Sequence, residues 1–167
     1  MRRLCRFLLL IPISAFTLFF LYPLVHECGH ALATVLLGGK IGSISFLPIP
    51  HVESGIPHDN MTIVAIVSLA GMVFPLLTSL PFIRTRGYIG FVVLVMLLIS
   101  SIAYVVEFSI ALQYNAGIVV DGDDIVLFLQ ASGLHPTWAF LYTGILCIWS
   151  LIAIVYMNPI ELIDGLA

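Results

Sequence analysis

Charged side chains are scarce in this sequence. Lys and Arg number 6 and Asp and Glu 9, together 9% of 167 residues, where soluble domains carry about 25%. So few charges cannot coat a water-facing surface of this size, which excludes an ordinary soluble globular protein. The cations form no stripe and the formal net charge is −3, which argues against a nucleic-acid partner. Cysteine is sparse too. Cys5, Cys28 and Cys147 are odd in number, and their spacing fits neither a disulfide framework nor a thiolate metal site. They read as small apolar residues. Internal repeats and low-complexity tracts are also missing.

What fills the chain is apolar: 61% of residues are hydrophobic, gathered into long runs that make lipid the solvent. Four segments stand out, Phe7 to Leu37, Met61 to Ile83, Tyr88 to Leu112 and Thr137 to Met157. The last three match the ~20 residues that cross a bilayer as a helix. The first is too long for one simple span, since roughly 31 residues would rise ~46 Å as a helix. It is expected to tilt, to kink at Pro23, or to divide. Arg2, Arg3 and Arg6 ahead of an apolar run resemble a signal peptide. That run, "FLLLIPISAFTLFFLYPLV", is longer than a usual signal core and shows no evident small-residue cleavage site, so it reads as a retained span. The expected fold is a single all-α membrane domain over residues 1–167, with about four transmembrane helices, the first of them kinked or broken.

The connections carry the remaining structure. Gly38 and Gly39 end the first segment. In "KIGSISFLPIP", Ile41, Ser43, Ser45 and Leu47 oppose Gly42, Ile44 and Phe46, which predicts a strand or half-hairpin closed by Pro48 and Pro50. Residues 51–60 read as a polar loop. Ile125 to Ala131 reads as a short helix before the last span, with Asp123 or Asp124 as its cap and Gly133 at its end. Two crossings separate the end of the first segment from the loop holding Asp121, Asp123 and Asp124, so both lie on one face, X. Arg2, Arg3, Arg6, Arg84 and Arg86 fall on the opposite face, Y, against Lys40 alone on X. By the positive-inside rule Y, with the N-terminus, is cytoplasmic.

Within the first segment stands "YPLVHECGHAL", with three ionisable groups where charge is most expensive. Such residues usually face a cavity and carry function. His26 and His30 are four apart, so a helix puts both imidazoles on one face, where both can reach one Zn²⁺. Glu27 follows the first histidine as the general base does in the HExxH arrangement. A catalytic zinc usually takes a third protein ligand. The soluble HExxHxxGxxH extension fails, because Ala33 stands where Gly is needed. Among the candidates, Glu53 lies in a loop, and Glu107 sits within the third segment as a ligand, cavity group or proton carrier. His51, His58 and His135 read as loop or interfacial residues. The cluster "VDGDD" is better placed, with Asp121 and Asp124 both open as ligands.

The run "HECGHALATVLLGGKIGSISFLPI" resembles the site-2 protease family of intramembrane zinc metalloproteases. It has an HExGH motif, a small-residue turn, a Lys-Ile pair and a strand ending in Leu-Pro. "SLAGMVFPL" at 68–76 is similar to the family's Ala-Gly-Pro segment, although Met72 and Val73 follow Ala-Gly and Pro75 is displaced. Asp121-Gly122 is similar to the family's Leu-Asp-Gly, with Val120 in place of Leu. The likeness covers about residues 22 to 134 and is to compact members without a PDZ domain. It implies one Zn²⁺ held by His26, His30 and an aspartate, with Glu27 as base. Compact members end the helix after the ligand Asp near a Gly-Leu, and Gly133-Leu134 stands at that distance from Asp124, which favours Asp124 over Asp121. The resemblance also implies transmembrane substrates, added as a strand along Ile41, Ser43 and Ser45. It implies a cytoplasmic opening as well, opposite to the arginine count. Two other classes remain as expectations: a catalytically silent relative that binds membrane partners, and a metal or proton transporter built on Glu107 and the aspartates.

Overall fold

The computed structural model describes residues 2–55, 60–118 and 122–165. It is an all-α membrane architecture. Four helices are long and apolar enough to cross a bilayer: Leu8–Leu36, Met61–Phe82, Gly87–Asn115 and Thr137–Met157.

The first of these is irregular, as its length and Pro23 predict, but it does not divide. Helix α1 (Arg2–Phe16) passes through a π-turn at Thr17–Leu21 into α2 (Tyr22–Leu36). Pro23 has no N–H to donate to the carbonyl four residues back, and its ring crowds that carbonyl. The turn before it widens to π geometry, a form that breaks helical regularity without ending the helix. Gly38 then closes α2 with φ +82°, a left-handed conformation that glycine adopts without a Cβ penalty.

A two-stranded antiparallel sheet follows, β1 (Lys40–Ser45) with β2 (His51–Gly55). Lys40 pairs with Gly55 and Ser45 with His51, with a bulge between Ile41 and Ser43. This corrects the reading of residues 51–60 as loop, because the first five are strand. Their polar composition hides it, since both faces of this small sheet are largely exposed. The cross-strand pair Ser43 Oγ to Glu53 Oε2, 2.8 Å, helps fix the register. β1 also stops at Ser45 instead of Leu47, because the turn into β2 takes up the Pro48-Ile49-Pro50 stretch.

Helix α3 (Met61–Ser79) is capped by Asn60, whose side chain accepts the Ile63 N–H, and a 3₁₀ turn at Leu80–Phe82 follows it. Helix α4 (Gly87–Asn115) runs three residues past the expected end. The short helix α5 (Asp124–Ser132) and the last span α6 (Thr137–Met157) lie where the sequence places them. A terminal helix, α7 (Pro159–Asp164), was not anticipated.

The core sits where α3, α4, α5 and α6 meet. Met72, Tyr104, Ile125, Val126, Leu129 and Ala139 are buried there together. Lipid offers no hydrophobic drive between helices, so contact depends on close packing and hydrogen bonds. Small residues supply both: Ala139, Thr143, Ser150 and Ala153 are buried on α6, and the Ser101 and Ser150 hydroxyls hydrogen-bond at 2.7 Å. Gly29 does the same between α2 and α3. A Cβ there would fall 2.6 Å from the Ala70 carbonyl oxygen.

Candidate metal centre

The HECGH turn lies wholly inside α2, so His26 and His30 project from one face as their spacing requires. Their rings meet edge to face with centroids 4.7 Å apart. That face packs on α3, where Gly71 makes the room. A Cβ on Gly71 would strike the His30 ring and come within 2.9 Å of His26 Nε2. The glycine is therefore a cradle for both imidazoles, a role that a sequence pattern alone does not reveal.

Asp124 comes from the other direction. Gly122, at φ +77°, turns the chain, and Asp123 caps α5 by accepting the N–H groups of Ile125 and Val126. Asp124 is then the first residue of the helix. Buried Ile125, Val126, Phe128 and Leu129 anchor that helix among α3, α4 and α6. Asp124 Oδ2 lies 3.0 Å from His26 Nε2 and 3.2 Å from His30 Nε2, and the two nitrogens are 3.0 Å apart. The three atoms form a nearly equilateral triangle. Tetrahedral bonds of ~2.0–2.1 Å to zinc imply ligand–ligand edges of about 3.3 Å, close to these lengths.

The protonation pattern sharpens the point. His30 Nδ1 lies 2.8 Å from the Val67 carbonyl oxygen, which can only accept, so Nδ1 carries the hydrogen. In the neutral ring Nε2 then bears a lone pair, directed toward a second imidazole nitrogen and a carboxylate oxygen. Such a cluster of electron-rich atoms requires a cation among them, either protons or a metal. A backbone carbonyl orienting a histidine through its far nitrogen is the usual outer partner of a metal ligand. For Asp124, burial raises the carboxyl pKa, but its close approach to the His26 and His30 imidazoles outweighs that and holds the group at about 2. A lowered pKa favours the carboxylate, the form in which an aspartate binds a metal. The donor set fits a zinc ion.

Glu27 faces the same space, with one donor atom each from His26, Glu27 and His30 lying within 4.8 Å of one another. Its carboxylate is not drawn into the triangle. Oε2 accepts the Val52 backbone N–H at 2.9 Å, and Oε1 lies 3.8 Å from His51 Nδ1. Strand β2 thereby holds the carboxylate beside the triangle.

Two cavities meet at Glu27. The larger, about 510 Å³, contains His26, His30 and Asp124 with His51 and Val52 on its wall. The smaller, about 240 Å³, is mainly apolar and runs between Tyr22, Ile49, Met72, Ala103 and Tyr104. Glu107 borders both, and its Oε2 is buried without a hydrogen-bond partner among the described residues. It stands outside the three-atom triangle.

The other sequence candidates disperse. Asp121 and His58 lie outside the described residues. Glu53 is engaged by Ser43, and His135 Nδ1 pairs with Thr137 Oγ1 at the start of α6. Ile41, Ser43 and Ser45 lie on β1. The hairpin residues that line the two cavities are Ile49, Pro50, His51 and Val52, on the β2 side. The contributions of Gly71, the Val67 carbonyl and the Val52 N–H escape a sequence reading, because two of them are backbone atoms and the third is an absent side chain.

No protein-family model, no curated protein and no solved structure matches this chain.

Proposed function

We propose that this chain is a zinc-dependent endopeptidase acting on transmembrane segments of other membrane proteins. The observation that carries the reading is the convergence of His26 Nε2, His30 Nε2 and Asp124 Oδ2 within 3.0–3.2 Å of one another, beside Glu27, in a bundle of membrane-spanning helices. Those three atoms would hold Zn²⁺, which when bound would supply a Lewis acid for the scissile carbonyl.

The chain's own residues do the rest. Glu27 takes a proton from the attacking water as its oxygen bonds to the scissile carbonyl carbon. It returns that proton to the departing amine nitrogen as the C–N bond breaks. Val52 N–H keeps the Glu27 carboxylate aimed at this space, and the Val67 carbonyl fixes the His30 ring. Gly71 lets the ligand face of α2 seat against α3. Helices hide their peptide bonds, so the substrate must unwind locally before it enters.

Conduction of protons or metal is the second reading, favoured by the buried Glu107 carboxylate. Against it, the hydroxyls along the second and fourth spans are occupied within their own helices. Ser68, Thr78 and Ser79 donate to carbonyls of α3, and Thr143 to a carbonyl of α6.

The test is cleavage of a transmembrane substrate by the purified chain in bilayers, with chelator and with zinc restored. Loss of cleavage on chelation and recovery with zinc are expected. Zinc-independent cleavage, or zinc flux through sealed vesicles with no cleavage, contradicts the proposal.

A further inference from the structure

The smaller cavity adjoins the larger one. His26, Glu27 and Glu107 border both, so a chain lying across Glu27 has the three converging atoms on one side and the 240 Å³ space on the other. The two differ in chemistry. The larger holds the imidazoles and carboxylates, whereas Ile49, Pro50, Met72, Ala103 and Tyr104 dominate the smaller. Tyr104 cannot turn its hydroxyl into that space, because it donates to the Met72 carbonyl oxygen at 2.9 Å.

We infer that the smaller cavity is a specificity pocket, taking one medium-sized apolar side chain of the substrate next to the scissile bond. The inference rests on the hydrolytic reading of the site and names its substrate class. Ala103 sets the size of the pocket. It lies one turn before Glu107 on α4, so the two share a face. Because Ala103 lines the space, a longer side chain there would take up part of its volume.

The experiment uses the zinc-loaded full chain in bilayers and two transmembrane substrates, identical except for Leu or Ala beside the cleaved bond. Wild type is expected to favour the Leu substrate in kcat/KM by about tenfold or more, the scale on which a hydrophobic pocket distinguishes aliphatic side chains. Ala103→Leu fills the pocket and should reduce that ratio about tenfold, toward unity, with bound zinc unchanged. If Ala103→Leu loses its zinc, Ala103→Val makes the same test with one methylene fewer. A Leu-to-Ala ratio near unity in wild type, or one unaltered in the zinc-loaded Ala103 variant, overturns the pocket and leaves the hydrolase standing. Failure of zinc-loaded wild type to cleave either substrate overturns the hydrolase and the pocket with it.

Discussion

At the scale of single residues the site divides into what side-chain chemistry announces and what it cannot. His26, Glu27 and His30 were legible because the four-residue spacing has one geometric consequence on a helix, and because ionisable groups in an apolar run need a reason. The third position was legible only as a choice between Asp121 and Asp124, since a loop has no period to fix direction. Asp124 is now the residue that meets both imidazoles. Asp124→Ala should therefore leave less than a tenth of wild-type zinc bound after dialysis, whereas Glu107→Ala keeps it. Zinc retained by the first and lost by the second would move the third ligand to α4. Gly71 gives a sharper test, because it donates nothing to a metal. Gly71→Ala places a methyl on the His30 ring and should weaken zinc binding by about 10–100-fold, the range seen when outer-shell support is removed. Unchanged affinity would mean that the rings are not seated against α3 as described.

Elements bring these residues together by unequal means. Helix α5 was readable from its apolar residues between capping aspartates and Gly133, and it forms from Asp124 to Ser132. Its cap is structural. Asp123→Ala should cost about 1 kcal/mol of stability and lower zinc affinity through the loosened Asp124, while Asp123→Asn, which also caps, should retain both. Equal losses in the two variants would give Asp123 a role beyond the cap. Strand β2 was not readable, because Val52 is the one apolar side chain among its five residues. It nevertheless holds Glu27 through a backbone N–H. Val52→Pro removes that donor at a strand edge, where proline is tolerated. The predicted outcome is full zinc occupancy with kcat lowered and KM little changed. Unaltered kcat would show that the hydrogen bond does not position the base.

For the whole molecule, the count of crossings was the most productive inference. Two spans between the HECGH segment and the aspartate loop require both to lie at one face, and the contact of Asp124 with both histidines agrees with that parity. The π-turn was harder to foresee, since a proline states that a helix must adjust and not how. Depth follows from length: from Gly87 to Glu107 helix α4 rises ~30 Å, about a full hydrocarbon thickness. The candidate centre, which Glu107 borders, thus lies toward the Asn115 end of α4. The arginines at the opposite face would make the hairpin face external, whereas the family resemblance implies a cytoplasmic opening. Ser43→Cys, in a background with the three native cysteines replaced, distinguishes them. Labelling of intact cells by a membrane-impermeant maleimide supports the arginine rule, and labelling only after permeabilisation reverses the topology. The central claim is hydrolysis by Glu27 beside a three-ligand zinc. It is tested most directly by comparing wild type with Glu27→Gln at matched zinc content, measuring cleavage of one transmembrane substrate in bilayers. The expected result is equal zinc and cleavage reduced at least about a hundredfold, the low end of what a general base contributes. Equal cleavage by the two zinc-loaded proteins would contradict it.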